Sequence, residues 1–334
     1  VRRLLLVLLL LAVGAGPAAA RILLVGPGET LARPSDAARV AQDGDEVRIA
    51  PGTYYDCAIW HASRLTIEGI GPGVVLSDLA CAGKASFVIG GDDVVVRGIT
   101  FTRIRVADNN GAGIRAEGGS LTVEDCAFIN NQAGILTASR PGAVLRVRHS
   151  RFEDIGACVG GRCTAALMVG GLAGLEVVDS RFTAPRAGLA ISSDAMRVTL
   201  RGNQIAGGGG RLVQVAVRGK VVLEGNTLSQ DAPGEAVLLT GDDGQVTVRG
   251  NTYLHQGGGG TLLLNWSGAE PEMQANVVAA GDTALSTSGA WWDALRRGAH
   301  TVYDPARALA GKVKGKAVEL GGRAVGKLRH MLPF

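Results

Sequence analysis

The stretch Val198-Thr199-Leu200-Arg201-Gly202-Asn203-Gln204-Ile205 returns as Val221-Val222-Leu223-Glu224-Gly225-Asn226-Thr227-Leu228 and again as Val246-Thr247-Val248-Arg249-Gly250-Asn251-Thr252-Tyr253. Apolar residues hold places one, three and eight of the octet, and Asn follows Gly at place six. Asn203, Asn226, Asn251 and Asn276 are spaced by 23, 25 and 25 residues. Read toward the N-terminus, the template fits Leu175 to Phe182, Leu145 to Phe152, Leu121 to Phe128 and Val94 to Phe101. Place six then carries Ser180, Ser150, Cys126 and Ile99.

A repeat of about 20 to 30 residues marks a solenoid, and alternation with a period of two makes its units strands rather than helices. One such unit cannot bury its own apolar face, so neighbours stack and share a core. Gly, Asp and His at place five suit a turn residue of positive φ. An Asn just beyond it points inward and bonds backbone groups that water cannot reach. The file of asparagines is therefore scaffold rather than catalytic equipment.

On these octets the chain resembles the pectin-lyase-like superfamily of right-handed parallel β-helices, over roughly residues 30 to 290. The segment from Pro34 to Tyr54 resembles the opening of that family, in which a short helix caps the first coil and a Gly-Asp turn leads into a strand ending Pro51-Gly52-Thr53-Tyr54. Ser35 is the expected N-cap, with Asp36 in the first turn. The expected fold is all-β, a right-handed parallel β-helix of about ten coils with a helical N-terminal cap and a basic helical C-terminal tail.

Arg2-Arg3, the apolar run Leu4 to Val13 and Ala18-Ala19-Ala20 read as a leader with a small-residue cleavage site. The domain plan is thus a signal peptide over 1–20, the β-helix over 21–290 and the tail over 291–334, in an exported protein, periplasmic or secreted. Fifty glycines fit a solenoid punctuated by turns. A net charge of +4 is too small to imply a nucleic-acid partner. In an exported chain cysteines are candidate disulfides. Cys158 and Cys163 bracket a loop, Cys57 and Cys81 lie about one coil apart, and Cys126 at place six reads as a buried free thiol.

Enzymes of the resembled superfamily work in a groove along one sheet and its flanking loops, so the strands preceding the octets matter. Placing Ile114, Ile135, Leu167, Leu189, Val213 and Val237 inward sends Arg115, Leu136, Met168, Ala190, Gln214 and Leu238 outward. That largely apolar outer stripe is expected to be covered, by the tail, a partner protein or a lipidic ligand. Polar residues gather instead in the early loops. Asp108, Arg115, Glu117 and Asp154 are the candidate catalytic residues, and Arg103, Arg105, Asn109, Asn110, Asn130, Asn131 and Gln132 the candidate substrate contacts. Glu153 belongs to the same patch. No cofactor is called for, although Asp108, Glu117 and Asp154 form a candidate calcium set. Against this stands the ordinary reading of Asp108-Asn109-Asn110-Gly111 as a solvated turn. Trp60-His61 is a weaker candidate for stacking a sugar.

Signatures of the superfamily's enzymes fail. Asn131-Gln132-Ala133 lacks the aspartate-rich strand of the pectin methylesterases, and Tyr303-Asp304-Pro305 lacks the histidine of the alginate epimerases. The expected function is an envelope, carbohydrate-associated protein that binds or modifies an acidic polysaccharide, as a lyase or hydrolase if it is an enzyme. The alternative is a non-catalytic scaffold or adhesion module that meets a partner protein or an envelope membrane through its basic tail.

Overall fold

The computed structural model describes residues 20–287, apart from 160, 161, 187, 209, 233 and 256–258. The leader, save Ala20, and the tail at 291–334 lie outside the described residues.

The chain is a parallel β-helix whose coils build three sheets, with one two-stranded hairpin outside them. The first sheet has eleven strands, from Ile22–Val25 to Pro271–Gln274. The second has ten, from Gly52–Tyr54 to Val277–Val278, and the third ten, from Ala58–Trp60 to Thr283–Ser286. Each turn of the helix visits them in that order, which makes about eleven coils against the expected ten. The pairing is in the register of the octets: Val198 faces Val221, which faces Val246.

Place five is a left-handed position in coil after coil. Its φ is 68° at Gly98, 52° at Asp125, 47° at His149, 48° at Asp179 and 65° at Gly202. The left-handed conformation turns the chain sharply between first and second sheets, and only Gly, Asn, Asp or His enters it readily. Immediately after it, Asn226 Oδ1 accepts from the backbone N–H of Asn203 at 3.0 Å, and its Nδ2 donates to Leu200 O at 2.8 Å. Asn203, Asn226 and Asn251 are all buried. The file does not stop at Asn203. Ser180 N donates to Asn203 Oδ1 at 2.9 Å, Ser150 N to Ser180 Oγ at 3.2 Å, and Cys126 N to Ser150 Oγ at 3.2 Å. The serine hydroxyls extend the ladder with a shorter side chain.

Two places later on the same inner face runs a file of rings. Phe128 and Phe152 stack with centroids 4.7 Å apart, Phe152 and Phe182 at 4.6 Å, both pairs within 2° of parallel. Phe101 continues the file at 5.2 Å and Phe87 meets it edge-on. Beyond Phe182 the place is taken by Ile205, Leu228 and Tyr253. In that half a void of about 10 Å³ is lined by Ile205, Leu228, Asn226 and Asn251, among others. It holds at most a water.

Three local expectations need correction. The cap helix is Pro34–Val40 with Arg33, not Ser35, as N-cap. Pro34 takes the first helical position, where its missing N–H costs nothing, while Ser35 N donates to Asp56 Oδ2 at 2.8 Å. In the third sheet Leu167 pairs with Ile191, so Ser192 rather than Ala190 follows Met168 on the outer face. Pro185 and a turn at Gly188, φ 76°, use up the residues in between. Ala190 is buried, as are Leu136 and Leu238 on the nominal outer stripe. Leu136 packs with Ala85, Val88, Ala112 and Ala133 in a small second cluster, flanked by Cys81 and Met168.

Both disulfides join the cysteines paired in the sequence. Cys57–Cys81 spans adjacent coils, and Cys158–Cys163 closes a hairpin in which Cys158–Val159 runs antiparallel to Arg162–Cys163. Cys126 is free and buried.

Candidate functional site

The corner between the second and third sheets is a second left-handed file. Asp78, Arg103, Asn130, Asp154 and Ala184 have φ of 67°, 57°, 53°, 53° and 48°. Each follows a second-sheet strand, so the file sets one residue per coil at the same place on the early coils. Arg103 grips Asp78 with a fork, Nε to Oδ1 at 2.9 Å and Nη2 to Oδ2 at 2.6 Å, which holds the Asp78 carboxyl below the usual carboxylate range. Arg186 reaches Asp154 with Nε 3.1 Å from Oδ1.

Arg105 lies between these pairs and has no carboxylate at ion-pair distance among the described residues. It donates instead to Asn130 O at 2.6 Å, to Ile104 O at 3.0 Å and to the Asn130 side chain. Partial burial, and then the neighbouring Arg186 guanidinium, press its pKa below the ordinary arginine value. Asp154 and Asp78 act in the opposite direction without offsetting these two.

Behind this row the candidate contacts divide by burial. Asn131 is buried, with Oδ1 accepting from Ile104 N at 2.9 Å and Nδ2 donating to Phe101 O at 2.9 Å. Gln132 Oε1 accepts from Val106 N at 2.8 Å and Gly111 N at 2.9 Å, and its Nε2 donates to Asn109 Oδ1 at 3.1 Å. These two fasten the 103–111 loop. Asp108 is exposed at the loop's apex beside half-buried Asn109 and Asn110.

The second cluster sits at the opposite end of the third-sheet strand Ala112–Ala116. Lys84 Nζ is 2.7 Å and Arg115 Nε 3.4 Å from Glu117 Oε1, and Arg140 Nε donates to Glu117 O at 3.0 Å. The Lys84 bond, with help from Arg115, lowers the Glu117 pKa. A carboxyl kept ionised accepts hydrogen bonds but makes a poor general acid at neutral pH.

The candidate catalytic residues are therefore not one constellation. Glu117 lies a strand's length from the corner that holds Asp154, each neutralised by its own cations, and Glu153 is engaged by Arg151 at 2.9 Å. Calcium needs six to eight oxygens, and among the described residues no three His, Cys, Asp or Glu side chains gather to hold a metal ion. This donor set does not fit calcium. Trp60 is wholly buried, which removes it as a sugar-stacking surface. Tyr55 is an exposed aromatic near Arg103, whose pKa is raised first by the Asp78 bond and only slightly by this phenol.

A polar cluster that the sequence reading missed lies at the same corner of the last coils. His255 and Asp282 approach to 3.3 Å with both side chains fully buried, while Tyr253 donates its hydroxyl to Gln230 Oε1 at 2.8 Å. Among the described residues, both ring nitrogens of His255 and Oδ2 of Asp282 lack a hydrogen-bond partner. One signal was available: His255 shares the inward parity of Tyr253 on the strand Thr252–His255.

The family profile described as "Right handed beta helix region" matches residues 85–278. Among solved structures the chain is similar to pectin methylesterase from carrot, at 10% identity and a TM-score of 0.42, with 82% of this chain and 90% of that one covered. It is also similar to the mannuronan C-5 epimerase AlgE4 A-module of Azotobacter vinelandii, at 12% identity and a TM-score of 0.35, covering 76% and 94%. A third is the alginate lyase of Paenibacillus sp. str. FPU-7, at 15% identity and a TM-score of 0.32, covering 75% and 96%. No curated protein matches the sequence significantly.

Proposed function

This chain belongs to the right-handed β-helix family, and from that premise we propose that it is an exported protein that binds an acidic polysaccharide across the early coils of its third sheet. The observation that carries the reading is Arg105, a guanidinium without a carboxylate partner among the described residues, pressed by Arg186. At that corner three guanidinium groups, of Arg103, Arg105 and Arg186, face two carboxylates, of Asp78 and Asp154. At the other end of the strand Lys84, Arg115 and Arg140 surround Glu117. The Glu117 edge thus holds surplus positive charge and the corner offers the Arg105 guanidinium, which suits a polymer bearing repeated carboxylates. Two disulfides support an oxidising compartment.

Binding rather than turnover is the better-supported activity, because Asp78, Glu117, Glu153 and Asp154 are each paired with a cation and Asp108 stands apart at the exposed apex of its loop. The test is retention of the full-length protein in gels containing polyuronates or neutral glucans, alongside Arg105→Ala. Retardation by polyuronate alone, weakened by salt and by the substitution, is the expected result. Equal mobility in every gel would remove the reading. Absorbance from unsaturated uronates in the same samples would instead establish a lyase.

A further inference from the structure

The N-terminal edge of the solenoid carries a carboxylate arranged around one residue. Asp45 Oδ1 accepts from the backbone N of Arg21 at 3.2 Å and from its Nε at 3.1 Å, and Oδ2 accepts from Nη2 at 2.5 Å. Gln42 N donates to Oδ2 at 2.8 Å, and the Asp45 side chain is only 4% exposed. Arg21 Nη2 also donates to Val40 O at 3.0 Å, at the end of the cap helix. The Arg21 carbonyl accepts from Glu46 N at 2.8 Å, the first bond joining the edge strand Ile22–Val25 to the body. One side chain therefore ties together the edge strand, the cap helix and the first full coil.

Arg21 is also the residue that follows Ala18-Ala19-Ala20. We propose that the Ala20–Arg21 peptide bond is a processing site, and that Asp45 receives the α-ammonium that cleavage creates on Arg21. The inference rests on the export part of the reading above and is independent of the glycan. A leader-cleaving protease adds water across the bond: oxygen goes to the Ala20 carbonyl carbon, the C–N bond breaks, Ala20 leaves as a carboxylate and Arg21 N becomes an ammonium. Ala20 is exposed, as an excised flank must be.

The physical consequence is a change in the charge of one nitrogen already in contact with Asp45. A neutral amide N–H becomes a full positive charge beside a carboxylate shielded from water, where attraction exceeds that at an open surface. The capture of an N-terminal amine is a recurrent recognition mode, here performed within the chain. Processing would thus tighten the edge of the solenoid at the moment of export, when an open sheet edge is a liability.

The experiment exports the full chain from a bacterial host and reads its N-terminus by mass spectrometry, with Arg21 expected. Thermal unfolding then compares this protein with the same chain N-acetylated at Arg21. The free amine should raise Tm by ~2–4 °C at pH 6.5, and the gap should close by about pH 10.5 as the ammonium loses its proton. Asp45→Asn should abolish the gap, and Arg21→Ala, which keeps the amine without the guanidinium, should preserve it. If Asp45→Asn does not fold, the pH profile and Arg21→Ala still decide. A mature terminus elsewhere, or equal Tm for free and acetylated chains at pH 6.5, overturns the proposal, whereas a failure to bind polyuronate leaves it standing.

Discussion

His255 Nδ1 lies 3.3 Å from Asp282 Oδ1 although neither side chain touches solvent. The same Asp282 oxygen accepts from Gly260 N at 2.9 Å, so this carboxylate holds the last coil to the one before it. Asp282→Ala leaves a buried N–H and an imidazole without that oxygen, a loss of about 1–3 kcal/mol. Hydrogen exchange should show the loosening confined to the coils around Thr252–Ser286, with the first coils unchanged, as expected where stability passes between neighbours.

Tyr253, beside this pair, has its phenol pushed up to about 12, by burial first and then by Asp282 and Glu235. In the unfolded chain the phenol ionises near its ordinary value of 10.0. Stability that is full below that pH is therefore lost as pH rises toward the folded value. Tyr253→Phe should flatten the fall of Tm across this alkaline window relative to its own value at neutral pH.

The ladder makes a graded prediction. Asn226→Ala strips an acceptor from Asn203 N and a donor from Leu200 O, both buried, and should cost about 2–4 kcal/mol by urea titration. Ser150→Ala removes a longer bond to Cys126 N and one to Arg148 O, and about 1 kcal/mol is expected. Equal losses at the two positions would refute the view that hydroxyl and amide rungs differ in strength.

Cys126 is 2% exposed, and burial raises its thiol to about 12. The thiolate is the reactive form. A thiol reagent at pH 8 should label this cysteine only at the rate of unfolding, so labelling should accelerate in parallel with Asn226→Ala.

Gly113 faces the ring file. A Cβ there would stand 2.6 Å from Phe128 Cδ1 and 2.9 Å from Phe101 Cβ. Gly113→Ala should destabilise by about 1–3 kcal/mol through overpacking, measured by the shift in the urea midpoint. Gly250→Ala meets nothing within 4 Å and is opposed only by its φ of 63°.

The architecture was legible because the period-two alternation and the turn at place five repeat through so many coils that one reading error does not propagate. Errors arose where a single coil departs from the repeat. Pro185 and Gly188 displaced Leu189 and Ala190, and Pro34 displaced Ser35 as the start of the helix. The ladder's continuation through Ser180 and Ser150 was obscured because serine reaches its neighbour by a hydroxyl rather than an amide. The polar patch was found as a composition, but its meaning lay in pairings across coils. Lys84 meets Glu117 from 33 residues away, and no local spacing announces that. His255 and Asp282 escaped for the same reason.

Place six and place eight share one cross-section, and in four coils their occupants trade volume, although Asn251 with Tyr253 and Ile99 with Phe101 do not. Ser150 and Ser180 accompany Phe152 and Phe182, whereas Asn203 and Asn226 accompany Ile205 and Leu228. In those four coils the packed unit is a couplet rather than a residue. Converting one coil to the other type requires Ser180→Asn together with Phe182→Leu, and either change alone should be tolerated less well than both. A paired change of this kind keeps the cross-section of its coil filled, so the bore there stays constant.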